Sequence, residues 1–383
     1  MAAGVFGYMG YDMVRLMERL PDTPPDALGL PDGLFLRPTI IAVFDSVKDE
    51  VTLVTPVRPE PGVSARAAYA RAGERLTDIV ADFDRSLPHS GQDGDVADMP
   101  EPQSNTPKET YFAMVRKARE YIAAGDIFQV VLSQRFEAPF TLPPFSLYRA
   151  LRRINPSPYL YFLNYENFAI VGSSPEILVR VRNNRVTIRP IAGTRHRGRN
   201  PSEDAAIGQE LLADPKERAE HLMLLDLGRN DVGRVSKIGS VEVTERFALQ
   251  LTSHLIHIVS NVEGDLDPHY DAISALIAGF PAGTVSGAPK VRAMEIIDEL
   301  ELQKRGAYAG CVGYFSAGGD MDTCIVLRTA IVKDGRMYVQ AGGGVVADSS
   351  PEGEYQETVN KAKALFRAAE EAVRYATRTG RRQ

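Results

Sequence analysis

The sequence predicts an α+β fold, with strands and helices packed as layers of a sandwich. Three observations lead there. Strand and helix signals mix without a regular βαβ alternation, the strand candidates are long and alternating, and the helix candidates cluster. The 383 residues are 44% hydrophobic and 25% charged, the balance of a globular protein. Their number allows one large domain or two or three smaller ones.

Taken in order, residues 1–85 hold strand-like pieces at 5–11, 39–47 and 50–54 and an alanine-rich helix over 64–82, together an N-terminal layer. Residues 86–106, SLPHSGQDGDVADMPEPQSNT, are polar and rich in Pro, Gly and Asp, which predicts a linker or loop. Thr106, Pro107 and Glu109 then form a capping box that opens a helix and the main domain, 107–376. Within it, strands are expected at 126–136, 168–172, 185–191, 241–248, 253–262, 309–316, 323–332 and 336–341. Helices are expected over 146–153, 202–212, 215–227, 269–278, 288–302 and 353–375, and 377–383 is a polar tail.

Composition excludes several function classes. Net charge is −6, with no basic block beyond the terminal RTGRRQ, so nucleic-acid binding has no support. No apolar run approaches the roughly 20 residues of a membrane span, and the first twenty residues lack the pattern of a signal peptide. Cys311 and Cys324 lie in strand-like apolar context, which fits a reduced, cytoplasmic protein. An acidic chain still binds an anionic ligand where a local cation or arginine overrides the global field.

Two Glu-x-x-Glu pairs carry the strongest chemical signal: Glu217 with Glu220, and Glu354 with Glu357. Each pair sits at a helix start, where residues three apart share a face. Four carboxylates from two distant helices suit a hard divalent cation such as Mg²⁺. Helix capping is the competing explanation. Asp214-Pro215-Lys216-Glu217 is a good N-terminus, and acidic residues favour the positive end of a helix dipole; Glu220 and Glu357 lie deeper, where capping explains less.

Other motifs remain two-sided on spacing alone. PIAGTRHRG (190–198) ends a strand and reads either as a ligand-approaching glycine loop with Thr194 or as a tight turn with a solvated basic tail. Gly342, Gly343 and Gly344 follow a strand and either cradle a carboxylate with backbone amides or simply turn the chain. FPAGTVSGAPK (280–290) fails the P-loop spacing. In the strand expected at 323–332, Arg328 shares a face with Cys324, Val326 and Ala330, so its charge needs either a structural carboxylate or a bound one. His254 and His257 face opposite ways on one strand, and at most one looks into a given site. Glu176, in GSSPEILVR, reads as exposed on pattern alone.

Together these segments resemble the chorismate-utilising enzymes. The landmarks are FQVVLSQRF, NPSPYLYF, GSSPE, PIAGTRHRG, AEHLMLLDLGRNDVGRV, TSHLIHIVSNVEG, FPAGTVSGAPK, YAGCVGYF, CIVLRTA, QAGGGVV and PEGEYQETVNKAKAL, spanning 106–376, with weaker similarity at GVFGYMGYD. Within the family, the anthranilate synthase component I branch is most similar. Relatives that add water carry a lysine base where this chain has Gln129, and those making aminodeoxychorismate carry lysine where it has Ala192, which cannot form a covalent adduct.

The resemblance implies a layered αββα sandwich of two mainly antiparallel sheets with helices outside. It implies Mg²⁺ on Glu220 and Glu357 with Glu217 and Glu354 adjoining, and chorismate held by Tyr308, Arg328, Gly193, Thr194 and Gly342–Gly344. Glu176 would be the general acid, with His257 rather than His254 and Thr284 beside the reacting ring. It further implies ammonia delivered by a glutamine amidotransferase subunit, and anthranilate and pyruvate as products. Longer relatives carry a preceding Leu-Leu-Glu-Ser segment that helps bind regulatory tryptophan. Asn155, Pro158, Tyr159, Leu160, Val312, Tyr314 and Cys324 match the rest of that pocket, so a shortened N-terminal layer and an incomplete tryptophan site with weak or absent inhibition are expected. An aminodeoxychorismate synthase component I and an inactive scaffold homologue are the alternatives.

Overall fold

The computed structural model describes residues 3–85, 99–252 and 255–380. His254 and most of the expected 86–106 linker therefore lie outside the described residues. Two antiparallel sheets face each other. The first has nine strands among the described residues, in the order Ile191–His196, Leu255–Asp265, Arg185–Ile188, Ile177–Arg182, Met321–Ile325, Cys311–Phe315, Val5–Met9, Gly33–Leu36, with Glu242–Leu251 also paired to Leu255–Asp265. The second has seven: Gly287–Ala288, Gln129–Pro139, Arg336–Val345, Thr329–Lys333, Ala169–Ser174, Tyr159–Asn164, with Gln103–Ser104 on the edge of Gln129–Pro139.

Tyr8, Val312 and Cys324 of the first sheet pack against Tyr161, Ile170 and Ile331 of the second, forming the apolar layer between them. The outer face of the second sheet is covered by helices Pro144–Ile154 and Pro351–Gly380, whose Leu147, Leu151, Leu365 and Ala369 meet Val171, Ala330 and Val339. Helices Pro201–Ala213, Pro215–Gly233 and Ala272–Gly279 lie on the first sheet. Strands covered on both faces need no polar side; accordingly every residue of Ala169–Ser174 is buried. The αββα sandwich is thus present. A separate hairpin, Ile41–Asp45 with Glu50–Val54, pairs with neither sheet, and its Phe44 ring lies 6.2 Å from that of Phe83 on helix Ala65–Phe83.

Several local expectations are corrected. The strand expected at 323–332 is two strands in different sheets; the chain crosses between them, with Arg328 in the left-handed region at φ 48°. The shared-face argument for Arg328 fails for that reason. The glycines 342–344 lie inside strand Arg336–Val345, opposite Ser133, Leu132 and Val131, rather than after it. The segment read as a basic loop continues as edge strand Ile191–His196, with a bulge between Ala192 and Thr194. Pro107 rather than Thr106 is the N-cap of helix Lys108–Ala124, because the buried Thr106 hydroxyl donates instead to Asn105 Oδ1 at 2.9 Å.

Candidate functional site

The glycine strand is the floor of the site. A Cβ on Gly342 would lie 2.7 Å from the Tyr308 hydroxyl. One on Gly343 would lie 2.6 Å from Glu354 Oε2, and one on Gly344 would lie 2.4 Å from Gln129 Nε2 and 3.9 Å from Glu220 Oε1. Hydrogen at these three positions is what lets the Tyr308 phenol, the Glu354 carboxylate and the Gln129 amide close on the strand.

Glu217 and Glu220 come from helix Pro215–Gly233, which starts as the sequence suggested: the Asp214 carboxylate accepts from the amides of Lys216 and Glu217. Glu354 and Glu357 come from the first turns of helix Pro351–Gly380. Glu217 pairs with Arg195 at 2.7 Å, and Glu357 with Lys361 at 2.7 Å. Glu220 accepts from Gln129 Nε2 at 3.2 Å, leaving Gln129 Oε1 buried and unpartnered. Glu354 Oε2 is likewise buried without a hydrogen-bond donor. Burial, then Glu217 and Glu357, raise the Glu220 carboxyl above its usual range. Burial, with Glu357 adding, pushes Glu354 up to about 7. The two helices therefore bring four carboxylates within electrostatic reach of one another. Among the described residues no three His, Cys, Asp or Glu side chains converge as a finished metal site. The buried, donor-starved Glu354 oxygen and the mutual repulsion nevertheless fit a bound divalent cation, which would satisfy both.

Glu176 is not exposed, contrary to the reading from pattern. It is buried at the end of strand Ala169–Ser174, and burial pushes its carboxyl up to about 8. The Thr284 hydroxyl, an amide contact from Ile191, and the charges of Arg328 and Lys361 oppose that rise. Thr284 Oγ1 approaches closely enough to act electrostatically but makes no hydrogen bond of regular geometry. Burial lowers the affinity of the Arg328 guanidinium for its proton, countered by Glu176, yet among the described residues no carboxylate forms an ion pair with it. His257 sits opposite Thr194, with Nδ1 3.0 Å from the Thr194 hydroxyl. Burial first, then Arg328, takes its pKa down to about 4, so the ring is neutral at pH 7. Gly193, at φ 77°, makes the bulge that aims Thr194, and a Cβ there would lie 3.1 Å from Glu217 Oε2. Tyr308 is buried and pushed up to about 12, so its phenol keeps its proton as a donor.

Residues Glu176, Thr284, Arg328, His257 and Thr194 thus group around one guanidinium, beside the glycine floor and the carboxylates. Lys361 was missed. Its ammonium bonds the Gly342 carbonyl at 2.9 Å and acts on both Glu176 and Glu354. From sequence it reads as an ordinary i,i+4 partner of Glu357. Of the residues matched to a tryptophan pocket, Val312 and Cys324 face each other in the layer between the sheets, with Tyr159 packed against it. Tyr159 donates to Asp322 at 2.9 Å, and Asp322 lies opposite Tyr314. Leu160 lies opposite Ser173, whose hydroxyl donates to the Asn155 carbonyl, and Pro158 is exposed.

The sequence profile of the chorismate binding enzymes matches residues 1–367. The chain belongs to the chorismate binding enzyme family. Within it, the chain is 62% identical over 379 residues to anthranilate synthase component 1 of Cereibacter sphaeroides, an alignment covering 99% of this chain and 76% of that protein. It superposes on the crystal structure of anthranilate synthase component I from Streptococcus pneumoniae with a TM-score of 0.86 at 44% identity, covering 95% of this chain and 80% of that one. The menaquinone-specific isochorismate synthase of Escherichia coli shares the fold at a TM-score of 0.78 and 23% identity, covering 96% of this chain and 79% of that one.

Proposed function

We propose that this family member is the chorismate-converting component of an anthranilate synthase, a Mg²⁺-dependent lyase. Chorismate and ammonia would give anthranilate, pyruvate and water, for tryptophan biosynthesis. The observation that carries the reading is Glu176: a buried carboxyl that stays protonated to about pH 8, next to a guanidinium with no carboxylate partner among the described residues.

Hydroxide is a poor leaving group near neutrality. Glu176, kept neutral by burial, donates its proton to the C4 oxygen so that water departs, the kind of assistance worth about 10²–10⁴-fold. Arg328 and the Tyr308 phenol hold the enolpyruvyl carboxylate, a fork and a point donor. Lys361, fixed on the Gly342 carbonyl, adds positive charge on the same side. Glu220 and Glu357, with Glu217 and Glu354 adjoining, would hold Mg²⁺; when bound, the ion neutralises and orients the ring carboxylate. Ammonia adds at C2 as the C4–O bond breaks. Neutral His257, set by Thr194, takes the C2 proton as the enolpyruvyl group leaves, protonated to pyruvate, and the ring becomes aromatic. Gln129 and Ala192 support this branch: neither can act as the lysine base or lysine nucleophile of the related chemistries.

The relatives' designation as a component implies a second one. The chain's two cysteines are Cys311 and Cys324, both buried, with burial pushing the Cys311 thiol up to about 12 and Cys324 further. Neither supplies the thiolate that glutamine hydrolysis needs. We therefore assign ammonia supply to a glutamine amidotransferase subunit in the cytoplasm. Among the described residues no helix is long and apolar enough to cross a membrane.

Purified protein given chorismate, ammonium and Mg²⁺ should release anthranilate and pyruvate in equal amounts without a partner. Accumulation of an aminodeoxychorismate would overturn the Ala192 argument. A folded protein with no turnover at high ammonium would make it a scaffold homologue.

A further inference from the structure

Beneath the site lies a buried ion pair that the mechanism above does not use. Arg305 and Glu301 are 3% and 6% exposed and joined by two bonds, Nε to Oε2 at 2.9 Å and Nη2 to Oε1 at 2.6 Å. A buried pair of this kind is weak evidence for stability, since desolvation offsets much of the attraction. What it touches is more informative. Arg305 Nη1 donates to the Val285 carbonyl at 2.7 Å, and Nη2 to the Val131 carbonyl at 2.6 Å. Val285 adjoins Thr284, and Val131 lies opposite Gly344. Glu301 Oε1 accepts from the amide and the hydroxyl of Ser133, each at 2.8 Å, and Ser133 lies opposite Gly342. The guanidinium also sits 4.8 Å from the centre of the Tyr11 ring and 5.6 Å from that of Tyr308. The Tyr308 amide in turn bonds the Arg305 carbonyl at 3.2 Å.

We propose that Arg305 is a positioning residue for the chorismate site, setting the Tyr308 phenol and the Thr284 turn against the glycine strand through one planar guanidinium. The inference rests on Tyr308 contacting substrate, as proposed above. Only a fork can serve two carbonyls and a carboxylate while staying within cation–π reach of two rings; a lysine ammonium cannot. Glu301 is the counter-charge that also carries the arrangement to the strand facing Gly342.

The test is a double-mutant cycle on the intact chain with chorismate, ammonium and Mg²⁺. Tyr308→Phe alone should raise the KM for chorismate about 10-fold, and Arg305→Lys alone about 10-fold with a smaller change in kcat. Together they should cost little more than either, because the phenol is already misplaced. Amide hydrogen exchange at residues 283–287 and 131–133 should accelerate in Arg305→Lys. Additive losses, or wild-type kcat/KM with unchanged exchange, would overturn the proposal. Should Arg305→Lys not fold, Glu301→Gln decides: it keeps an acceptor for Ser133 and should raise KM and local exchange, whereas wild-type values reject the role. A wild-type chain without turnover would fault the functional reading instead, and the exchange measurement would still judge Arg305.

Discussion

Gly343 and Glu354 are closer than a methyl group allows: a Cβ on the glycine would stand 2.6 Å from Glu354 Oε2. The strand and the acidic helix can approach only because residue 343 has no side chain. Gly343→Ala should therefore push Glu354 off the strand. The Mg²⁺ concentration needed for half-maximal turnover is expected to rise about 10–100-fold, with little change in thermal midpoint. An unchanged Mg²⁺ titration would place Glu354 outside the site.

Glu357→Gln should abolish Mg²⁺-dependent anthranilate formation and leave the fold intact. The Glu357 side chain is 48% exposed and pairs with Lys361 alone among the described residues, so folding does not depend on its charge. Circular dichroism with the ammonium assay separates the outcomes. Loss of soluble protein with normal specific activity in what remains would mean a structural role.

Glu176 dictates an alkaline limit. Its proton is bound below about pH 8, so kcat/KM should fall as pH rises through that value, and Glu176→Gln should lose about 10²–10⁴-fold in rate. Stability follows the same sign. The folded state holds a proton that the unfolded chain releases near its ordinary value of 4.5, so this contribution is complete below pH 4.5 and is lost as pH rises to about 8. Denaturant titrations at pH 5 and 8 should show a larger loss in the parent than in Glu176→Gln.

Lys361 opposes the rise in the Glu176 pKa. Lys361→Met should accordingly move the alkaline limit upward while raising the KM for chorismate. A limit that stays in place would remove Lys361 from the site's electrostatics.

His257 is neutral down to about pH 4. At saturating Mg²⁺, this imidazole should therefore give kcat/KM no acid limb near pH 6.5. Because its folded pKa is depressed from 6.5, the linked stability is present above 6.5 and is lost as pH falls towards 4. His221, also taken down to about 4 by burial, adds the same loss to both proteins, and the His257 part alone should make the parent lose more stability between pH 7 and pH 4 than His257→Gln.

Much of the fold was legible because its signals are local. Asp214 and Pro215 announce a helix that the structure starts at Pro215, and apolar runs announce strands. What was not legible depends on long-range packing. The run around Arg328 keeps a strand-like pattern while the backbone leaves one sheet and joins the other, since both destinations are buried. Glu176 looked exposed because nothing nearby in sequence reveals the sheet that covers it. Lys361 was hidden by its spacing from Glu357, which on any exposed helix would be an ordinary pair. The glycine triplet was visible, but its purpose, room for Tyr308, Glu354 and Gln129, required the neighbours.

Arg328 sits on the seam where the backbone passes from layer to layer, between strand Met321–Ile325 of one sheet and strand Thr329–Lys333 of the other. A slip of one layer over the other would move the Arg328 guanidinium before Glu176 or His257 changed place. The position of that guanidinium is therefore set at a distance, by how firmly Tyr8, Val312 and Cys324 interlock with Tyr161, Ile170 and Ile331. Trimming a methyl from that oily layer would shift the guanidinium from a distance.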